Sequence, residues 1–356
     1  MCGIVISGYY GFGNTGDEAV LAGILATFRR LQIDAEFTVL SADPERTKRE
    51  HPGVDAVHRM KPAQAIRAMG RADLVISGGG SLFQDVTSAI SPYYYLSVLR
   101  LARLLRRKTM VYAQGVGPLI RPGASRAVAR AMNRTDAITV RDADSKSLLE
   151  SIGVTQPIHL SADPSFAVEP DLEAAGRLLE AHGIGGRELI GVSLRPWPKG
   201  AGWLDEAAEG IRQACERLGT TAALIPMQEP EDIDACGAVK GGIMLASGGR
   251  PRLVKGLVAR CALVVGMRLH SLIFAASEGA PFVPIVYDPK VASFAAATGQ
   301  GPGLEVESLS AGALRDAITG AWERRAEQAA VLAGKARELS ELALESARLA
   351  RDLIEK

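Results

Sequence analysis

The chain has 356 residues, of which 47% are hydrophobic, and a formal net charge of +1. This length suits two domains of about 150 to 180 residues each. Because 41 basic side chains nearly balance 40 acidic ones, no overall field recruits nucleic acid, and an anionic ligand must be held by local cations. We therefore expect a small-molecule ligand and no nucleic-acid partner.

The cysteines and the hydropathy exclude several classes of protein. Cys2, Cys215, Cys236 and Cys261 are dispersed, with no C-x-x-C pair and no histidine at metal-ligand spacing, so neither a disulfide framework nor a structural zinc site is expected. The apolar run Ile4–Ile6 is too short for a signal peptide, and no stretch approaches about 18 uninterrupted apolar residues. These features predict a cytoplasmic protein.

A glycine-rich loop separates the first predicted strand from the first predicted helix. The segments are the strand Gly3–Ser7, the loop glycines Gly11, Gly13 and Gly16, and the helix Ala19–Leu31. The glycines match the dinucleotide fingerprint G-x-G-x-x-G. However, Asp17 and Glu18 occupy the first helical turn, where their charge would repel a pyrophosphate. We therefore reject a dinucleotide site.

The same loop suits a hydroxylated ligand. Asn14 offers amide hydrogen bonds, and Asp17 offers a carboxylate that can accept a hydroxyl proton. Alternatively, Asp17 is only a charge at a helix N-terminus, which stabilises the helix by about 0.3 to 1 kcal/mol. The loop alone does not separate these two interpretations.

Two further loops follow predicted strands and carry side-chain amides. Gly79, Gly80 and Gln84 follow the strand Ala72–Ser77, and Gln114 follows the strand Thr109–Ala113. Open parallel sheets bind ligands at the carboxyl ends of their strands, so these loops predict a cleft at that edge. Bare glycine backbone and amide groups suit the hydroxyls of a sugar.

The segment after the predicted strand Ala137–Val140 carries charged residues. Asp142 and Asp144 form a D-x-D pattern like the metal motif of nucleotide-sugar enzymes. Because Asp144 directly precedes a predicted helix, we interpret it as an N-cap and expect no metal. Arg141 stands at the strand end and is predicted to point toward the same sheet edge.

The segment Ser91–Lys108 combines three tyrosines with leucines and a basic end. Its cations would complement a helix macrodipole while its leucines pack on the sheet, which is the interpretation that we favour. The alternative is a helix lying on the inner face of the cytoplasmic membrane.

The second half of the chain places its cations after predicted strands. The strands are Leu189–Leu194, Ala222–Pro226, Ile243–Leu245, Ala262–Val265 and Phe282–Val286. Arg195 follows the first of them, Arg268 and His270 the fourth, and Lys290 the fifth. One sheet edge is therefore predicted to hold three cations and an imidazole.

The stretch Cys261–Phe274 carries two of these groups. If extended geometry persists to His270, Arg268 and His270 project on the same side. Ser271 would then cap a helix beginning at Leu272, whose free N–H groups favour an anion. The interpretation without a ligand is a buried, hydrogen-bonded histidine beside a salt-bridged arginine.

The predicted elements divide the chain into two α/β domains and a helical end. We place the boundaries at residues 1–168, 169–315 and 316–356, because V-E-P-D near Val168–Asp171 interrupts the pattern. The last segment is rich in Ala, Glu and Arg and is predicted to be helical, with Gly320 and Gly334 as breaks, and it is free to pack back on the first domain.

Six motifs in order carry a family resemblance over residues 4–295. They are G-N-T-G-D-E-A at 13–19, S-G-G-G-S-L-F-Q-D at 77–85, A-Q-G-V-G-P at 113–118, A-D-P-S-F at 162–166, S-L-R-P-W at 193–197 and G-M-R-L-H-S at 266–271. The chain resembles the polysaccharide pyruvyl transferase family. The architecture expected is α/β and GT-B-like, with two doubly wound Rossmann-like domains facing a cleft and a long C-terminal helix.

The resemblance implies phosphoenolpyruvate as donor. Arg268, His270 and Lys290 match donor-binding positions of the family, His270 matches its general acid and Asp17 its candidate base. Arg195 and Arg141 are added as donor ligands because of their strand-end positions, with Arg141 reaching from the first domain.

The closest likeness is to the branch that adds a 4,6-linked pyruvate ketal to N-acetylmannosamine of a lipid-linked cell-wall polymer precursor, a polymer of the kind that anchors S-layers. This scheme requires no metal and no cofactor. The rival interpretations are a GT-B glycosyltransferase using a nucleotide sugar, since a fold does not fix a function, and a non-catalytic protein of glycan assembly. The oligomeric state is not predicted.

Overall fold

The computed structural model describes residues 2–86, 88–198 and 202–355. They form two compact units. The first unit comprises Met1–Phe12, Asp17–Val168 and Leu339–Lys356, and the second comprises Gly13–Gly16 and Glu169–Glu338. The chain thus enters the second unit for one short loop before the first unit continues.

The secondary structure alternates strands and helices. The strands are β1 Cys2–Ser7, β2 Ala35–Ser41, β3 Asp55–His58, β4 Leu74–Ser77, β5 Gly80–Phe83, β6 Lys108–Val116, β7 Ala137–Val140, β8 Ile158–Leu160, β9 Leu189–Ser193, β10 Thr221–Leu224, β11 Ile243–Met244, β12 Leu263–Gly266, β13 Phe282–Val286 and β14 Leu304–Glu305. The helices are α1 Thr15–Arg30, α2 Pro44–Glu50, α3 Pro62–Arg71, α4 Ser91–Leu104, α5 Pro122–Met132, α6 Ala143–Ser151, α7 Leu172–Ala181, α8 Trp203–Leu218, α9 Ile233–Gly237, α10 Pro251–Val258, α11 Leu269–Ser277, α12 Pro289–Ala297, α13 Ala311–Glu323, α14 Arg325–Leu342 and α15 Glu345–Glu355. Short 3-10 turns lie at Pro164–Ala167 and Val306–Ser308.

The first unit is built on a parallel sheet ordered β3-β2-β1-β4-β6-β7-β8, with β5 paired to β6. Its inner strands are apolar runs such as Leu74–Ser77, buried along their whole length, as expected of strands covered on both faces. The strand order reverses direction between β1 and β4, where Ser7 pairs with Ser77. Ligands of such sheets bind at the carboxyl ends beside this reversal.

The last helix of the chain completes the core of the first unit. Ala347 and Ala350 of α15 are fully buried in the cluster formed by β1, β4, β6 and α1. The Ser346 hydroxyl lies 2.8 Å from that of Thr139 and donates to that of Ser161 at 2.9 Å. Small side chains and a chain of hydroxyls allow the helix to approach the sheet closely.

The second unit repeats the architecture. Its sheet is ordered β11-β10-β9-β12-β13-β14 with parallel pairs, so its reversal lies between β9 and β12. Apolar faces of α8 and α13 pack on this sheet around Ile211 and Leu314. The strands that precede Arg195 and Arg268 are therefore the two at the reversal.

Every predicted strand is confirmed, including β2 and β8, but three short strands were missed. These are β3, β5 and β14, which have four, four and two residues. β5 begins at Gly80, inside the segment interpreted as a loop, because Gly80 takes a left-handed φ of +97° that redirects the chain beside β6.

Helix boundaries differ from the predictions at two sites. The N-cap of α6 is Asp142 and not Asp144, since the Asp142 carboxylate accepts from the Ser145 N–H at 2.7 Å. In the C-terminal segment Gly320 and Gly334 lie inside α13 and α14, and these helices instead end at Glu323 and Leu342. Exposed helical glycines are tolerated where nothing competes with the helical hydrogen bonds.

The apolar face of α4 packs inward, as the favoured interpretation of this segment predicted. Tyr95, Leu96, Leu99 and Ala102 are buried, whereas Leu104 is 71% exposed. None of the helices in the described residues has the length and hydrophobicity needed to cross a membrane.

Candidate functional site

In the first unit, polar groups meet where β1 and β4 end. Tyr10 is fully buried, and a side chain at Gly78 would fall within 2.1 Å of its hydroxyl. Burial raises the pKa of Tyr10 well above its usual value, and the charges of Asp17 and Glu18 raise it further. Bare backbone at Gly78 thus leaves room for this phenol at the strand ends.

The predicted base Asp17 lies at the same edge. Its Oδ1 would be 3.1 Å from a Cβ added at Gly80, so the second glycine loop passes directly over the carboxylate. Asp17 follows a loop of the second unit but itself belongs to the first. The structure therefore brings Asp17 and Gly80 together, as the glycine pattern predicted.

Arg141 is placed at this edge but is held by a carboxylate. Its Nη1 donates to Asp163 Oδ2 at 2.8 Å and its Nη2 to the Ser81 hydroxyl at 3.0 Å, and its side chain is only 6% exposed. Burial lowers the pKa of this guanidinium, but the negative charges of Asp163, Asp142 and Asp17 outweigh burial, so the pKa is raised. Arg141 is a permanent cation near Asp17, anchored within the first unit.

The absence of a side chain at Gly115 makes room for the Arg141 guanidinium. A Cβ at Gly115 would come within 2.6 to 2.9 Å of three atoms of the Arg141 guanidinium. The motif A-Q-G-V-G-P therefore supplies a glycine because the arginine lies flat on the backbone there.

The predicted amide ligands differ in their surroundings. Gln114 is fully buried, its Oε1 accepts from the Leu82 N–H at 3.3 Å, and its Nε2 makes no hydrogen bond to any described residue. Gln84 is half-buried and accepts from the Val86 N–H at 2.9 Å. At Gly79 an added Cβ would meet Val20 at 2.9 Å, so this glycine serves close packing. Among the described residues, the side-chain N–H group of Gln114 therefore lacks an acceptor and could donate to a ligand.

In the second unit, Arg268 forms a bidentate pair with a carboxylate that the sequence did not single out. Its Nε and Nη2 donate to the two oxygens of Asp232 at 3.0 and 2.5 Å. Asp232 is fully buried and also accepts from the N–H groups of Met227 and Gln228 at 3.2 and 3.0 Å. The guanidinium is therefore fixed at the end of β12 with a small part of its surface exposed.

The local geometry predicted for Arg268 and His270 is wrong. β12 ends at Gly266 and α11 begins at Leu269, with Arg268 as N-cap residue, so His270 lies in the first helical turn. Ser271 is not the cap, because its hydroxyl donates back to the Arg268 carbonyl at 2.6 Å. The strand Leu263–Gly266 and the later helix residues from Leu272 onward are both apolar, so hydropathy did not mark the change from strand to helix.

His270 packs against the glycine loop of its own unit. A Cβ at Gly16 would lie 2.3 Å from Nδ1 of the His270 ring. Asn14 holds this loop in place, because its Nδ2 donates to Gln228 Oε1 at 3.0 Å and its Oδ1 accepts from the Gly16 N–H at 2.9 Å. Asn14, predicted as a sugar ligand, thus lies in the second unit and supports the loop beside His270.

The other two cations lie on the neighbouring strand ends. Arg195 follows β9, and its guanidinium carbon is 5.0 Å from the centre of the Tyr287 ring and 5.8 Å from that of Trp197. Lys290, in the first turn of α12, contacts Asp288 at 3.3 Å. Aromatic faces hold Arg195 without neutralising its charge.

The second unit therefore places Arg268 and His270 after β12, between β9 with Arg195 and β13 with Lys290. This is the reversal point of a doubly wound sheet, where ligands bind. Guanidinium groups, an ammonium group and an imidazole at such an edge can bind an oxyanion and deliver a proton.

Sequence reasoning missed the residues that orient these groups. Asp232, Asp163 and Tyr287 each position a cation, yet Asp232 lies 36 residues from Arg268 and Asp163 lies 22 from Arg141. The only available signal was the polar cluster E-P-E-D in the loop after β10 and the A-D-P-S-F motif. Neither indicates which arginine is its partner.

Solved structures share this fold. HepE of Anabaena, in complex with UDP-glucose, superposes with a TM-score of 0.64 at 14% identity, covering 100% of this chain and 99% of that chain. The UDP-GlcNAc 2-epimerase of Neisseria meningitidis, bound to UDP-GlcNAc, gives 0.65 at 13% identity over 100% of both chains. The chain therefore has a GT-B-like, two-domain α/β fold, which at these identities is all that the likeness shows.

The sequence assigns the family within this fold. The family model for polysaccharide pyruvyl transferase matches residues 14–289, and the chain belongs to that family of transferase enzymes. The amylovoran biosynthesis protein AmsJ of Erwinia amylovora is 23% identical over 351 residues, covering 81% of this chain and 84% of that protein. The match to this relative agrees with the family assignment.

Proposed function

We propose that this enzyme transfers the pyruvyl group of phosphoenolpyruvate onto a sugar as a cyclic ketal. The single observation that carries the proposal is the grouping of Arg268 and His270 at the end of β12, between the strands that lead to Arg195 and Lys290. The family membership supplies the reaction class.

The donor matches the charges at this sheet edge. Phosphoenolpyruvate carries a carboxylate and a phosphate, and guanidinium groups bind such oxyanions in pairs of hydrogen bonds. Asp232 already fixes the guanidinium plane of Arg268. The remaining N–H groups can therefore bind the donor without a further loss of side-chain conformational entropy. Arg195 and Lys290 would bind whichever of the two groups, carboxylate or phosphate, Arg268 does not bind.

The chemistry needs a proton at the enol methylene. His270 would protonate this carbon, leaving an oxocarbenium-like centre at C2 that one acceptor hydroxyl attacks. A second hydroxyl of the same sugar then displaces phosphate. Of the two hydroxyl protons, one passes through the base and replaces the proton that His270 gave up, and the other leaves with the phosphate. The products are the ketal and inorganic phosphate, so the atoms balance without a cofactor.

We assign the base and the acceptor to the first unit. Asp17 would accept a hydroxyl proton, and the buried Nε2 of Gln114 would donate to a sugar oxygen. Gly80 leaves the backbone bare beside Asp17, and Gln84 offers a second amide on the same segment. Arg141, held by Asp163, would contribute a positive charge near Asp17. For Arg141 to contact the donor directly, its ion pair with Asp163 would have to break.

The acceptor that we propose is a β-linked N-acetylmannosamine, pyruvylated at its 4- and 6-hydroxyls, in a lipid-linked precursor of a cell-wall polysaccharide. The motif resemblance supports this choice. A lipid-linked acceptor would bring the enzyme to the inner face of the cytoplasmic membrane, and the exposed Leu104 at the end of α4 is the residue that we would expect to contact it. If the wild type and Leu104→Asp sediment equally with anionic vesicles, α4 does not contact the membrane.

The assay that tests the function is phosphate release from phosphoenolpyruvate with an N-acetylmannosaminyl acceptor. We expect release with the native chain and a loss of about 10²- to 10⁴-fold in kcat with His270→Ala, because a proton donor in the transition state is removed. His159→Ala, at an exposed histidine of β8, is the matched control and should keep native turnover.

Two outcomes would contradict the proposal. Native turnover in His270→Ala would show that the imidazole does not take part in the reaction. Consumption of UDP-glucose but not of phosphoenolpyruvate would instead identify a nucleotide-sugar transferase, the nearest alternative on this fold.

A further inference from the structure

Three potential metal ligands meet in the first unit, and one of them is the residue that follows Asp17 in the sequence. They are Glu18 in the first turns of α1, Glu50 at the end of α2, and His51, the residue that follows α2. One oxygen or nitrogen from each lies within 4.8 Å of the other two. Glu18 and His51 are buried, and Glu50 is half-buried.

Two of these side chains have a buried atom without a partner. His51 is 8% exposed, and its Nε2 makes no hydrogen bond to any residue that the structure describes. Glu50 uses Oε1 to accept from Arg46 Nε at 2.8 Å, while its Oε2 is buried and equally unmatched within the described ranges. Buried polar atoms of native proteins nearly always have a partner, so these two atoms call for one.

We propose that Glu18, Glu50 and His51 bind a divalent transition-metal cation of the Zn²⁺ class. Two carboxylates and one imidazole are a common protein ligand set for such ions, with the remaining coordination position left to water. The two carboxylates neutralise the charge of the ion. Ligand atoms about 2.0 to 2.2 Å from one ion lie roughly 3 to 4 Å apart, so only small side-chain rotations are needed to close the site.

Burial and neighbouring charges shift the pKa values of two of the three side chains. Burial, and the negative charges of Glu50 and Asp17, raise the pKa of Glu18 to about 7. Burial, and the positive charge of Arg29, lower the pKa of His51 to about 4.

The ion would join parts of the first unit that are distant in sequence. Glu18 Oε1 accepts from the Gly11 N–H at 2.8 Å, so the ligand that holds the metal also holds the glycine loop. Gly11 has a φ of +80°, and a Cβ there would lie 2.2 Å from the Ser41 hydroxyl, so the loop has no room to shift. The site therefore fixes α1, the end of α2 and this loop together.

The experiment uses the full-length chain after treatment with a chelator. We expect equilibrium dialysis to show one Zn²⁺ bound per chain, with a rise in the unfolding temperature. Glu50→Gln and His51→Gln should each weaken binding by at least about 100-fold, since loss of a ligand costs more than the 10- to 100-fold typical of residues behind the ligands. His159→Gln should bind Zn²⁺ as the native chain does.

A second probe does not depend on the variants folding. Co²⁺ bound to the native chain through this ligand set should show the visible absorption bands of a four- or five-coordinate ion, and Zn²⁺ should abolish them. The proposal fails if the native chain retains no Zn²⁺, if His51→Gln binds it as tightly as the native chain, or if Co²⁺ gives only the spectrum of the hydrated ion.

Discussion

Arg268 illustrates at the scale of single residues how one side chain can serve both the fold and the ligand. Arg268→Ala should destabilise the chain by about 3 kcal/mol, because it leaves the carboxylate of Asp232 buried without its cation. The double variant Arg268→Ala with Asp232→Asn should recover much of that stability but not the affinity for phosphoenolpyruvate. Urea unfolding and donor titration of both variants measure the two effects, and recovered affinity in the double variant would mean that Arg268 does not contact the donor.

Gly16 is a second residue whose effect can be separated from stability. Gly16→Ala should displace the His270 ring, since the new Cβ would lie 2.3 Å from Nδ1, and kcat should fall at least about 10-fold if the imidazole supplies the proton. Gly334→Ala inside α14, where an added Cβ meets nothing within 4 Å, is the matched control and should be neutral or stabilising by up to about 1 kcal/mol. Native turnover in Gly16→Ala would show that the ring position is unimportant.

At the scale of elements, α15 gives the sharpest test of packing. Ala350→Asp should destabilise the first unit by about 3 kcal/mol or more, because a carboxylate would be buried among apolar residues. Arg351→Ala, one residue along the same helix and half-exposed, should change stability by no more than about 0.5 kcal/mol. Thermal unfolding of both variants measures these stability changes. Equal unfolding midpoints for the two variants would mean that α15 does not occupy the core.

The elements also show how far the sequence alone could lead. Strands such as β6 and β13 were predicted because both faces are buried, which makes most of their residues apolar. β14 has two residues and carries too little pattern to be seen. The turn before α11 was missed for the opposite reason, since strand and helix are both apolar there. The cations at strand ends could be predicted from position, but Asp232 could not be assigned to Arg268, because that pairing depends on tertiary structure.

At the scale of the whole molecule, each unit should respond differently to loss of the chain's end. A variant ending at residue 338 lacks α15 and so opens the core around Ala347 and Ala350, whereas the residues of the second unit are all retained. We expect hydrogen exchange to rise across β1, β4 and β6 and to remain native in β9 and β12. Loss of protection throughout both units would show instead that the second unit depends on the first.

The return of the chain to its first unit has a consequence for biosynthesis. Domains generally fold from the N-terminus as the chain emerges from the ribosome. Here the sheet of the first unit is translated by residue 160, yet the helix that covers part of it is made only after the second unit. The second unit has all of its residues once Glu338 has emerged. The half synthesised first is therefore completed last, and until then its unfinished hydrophobic surface is what a chaperone would encounter.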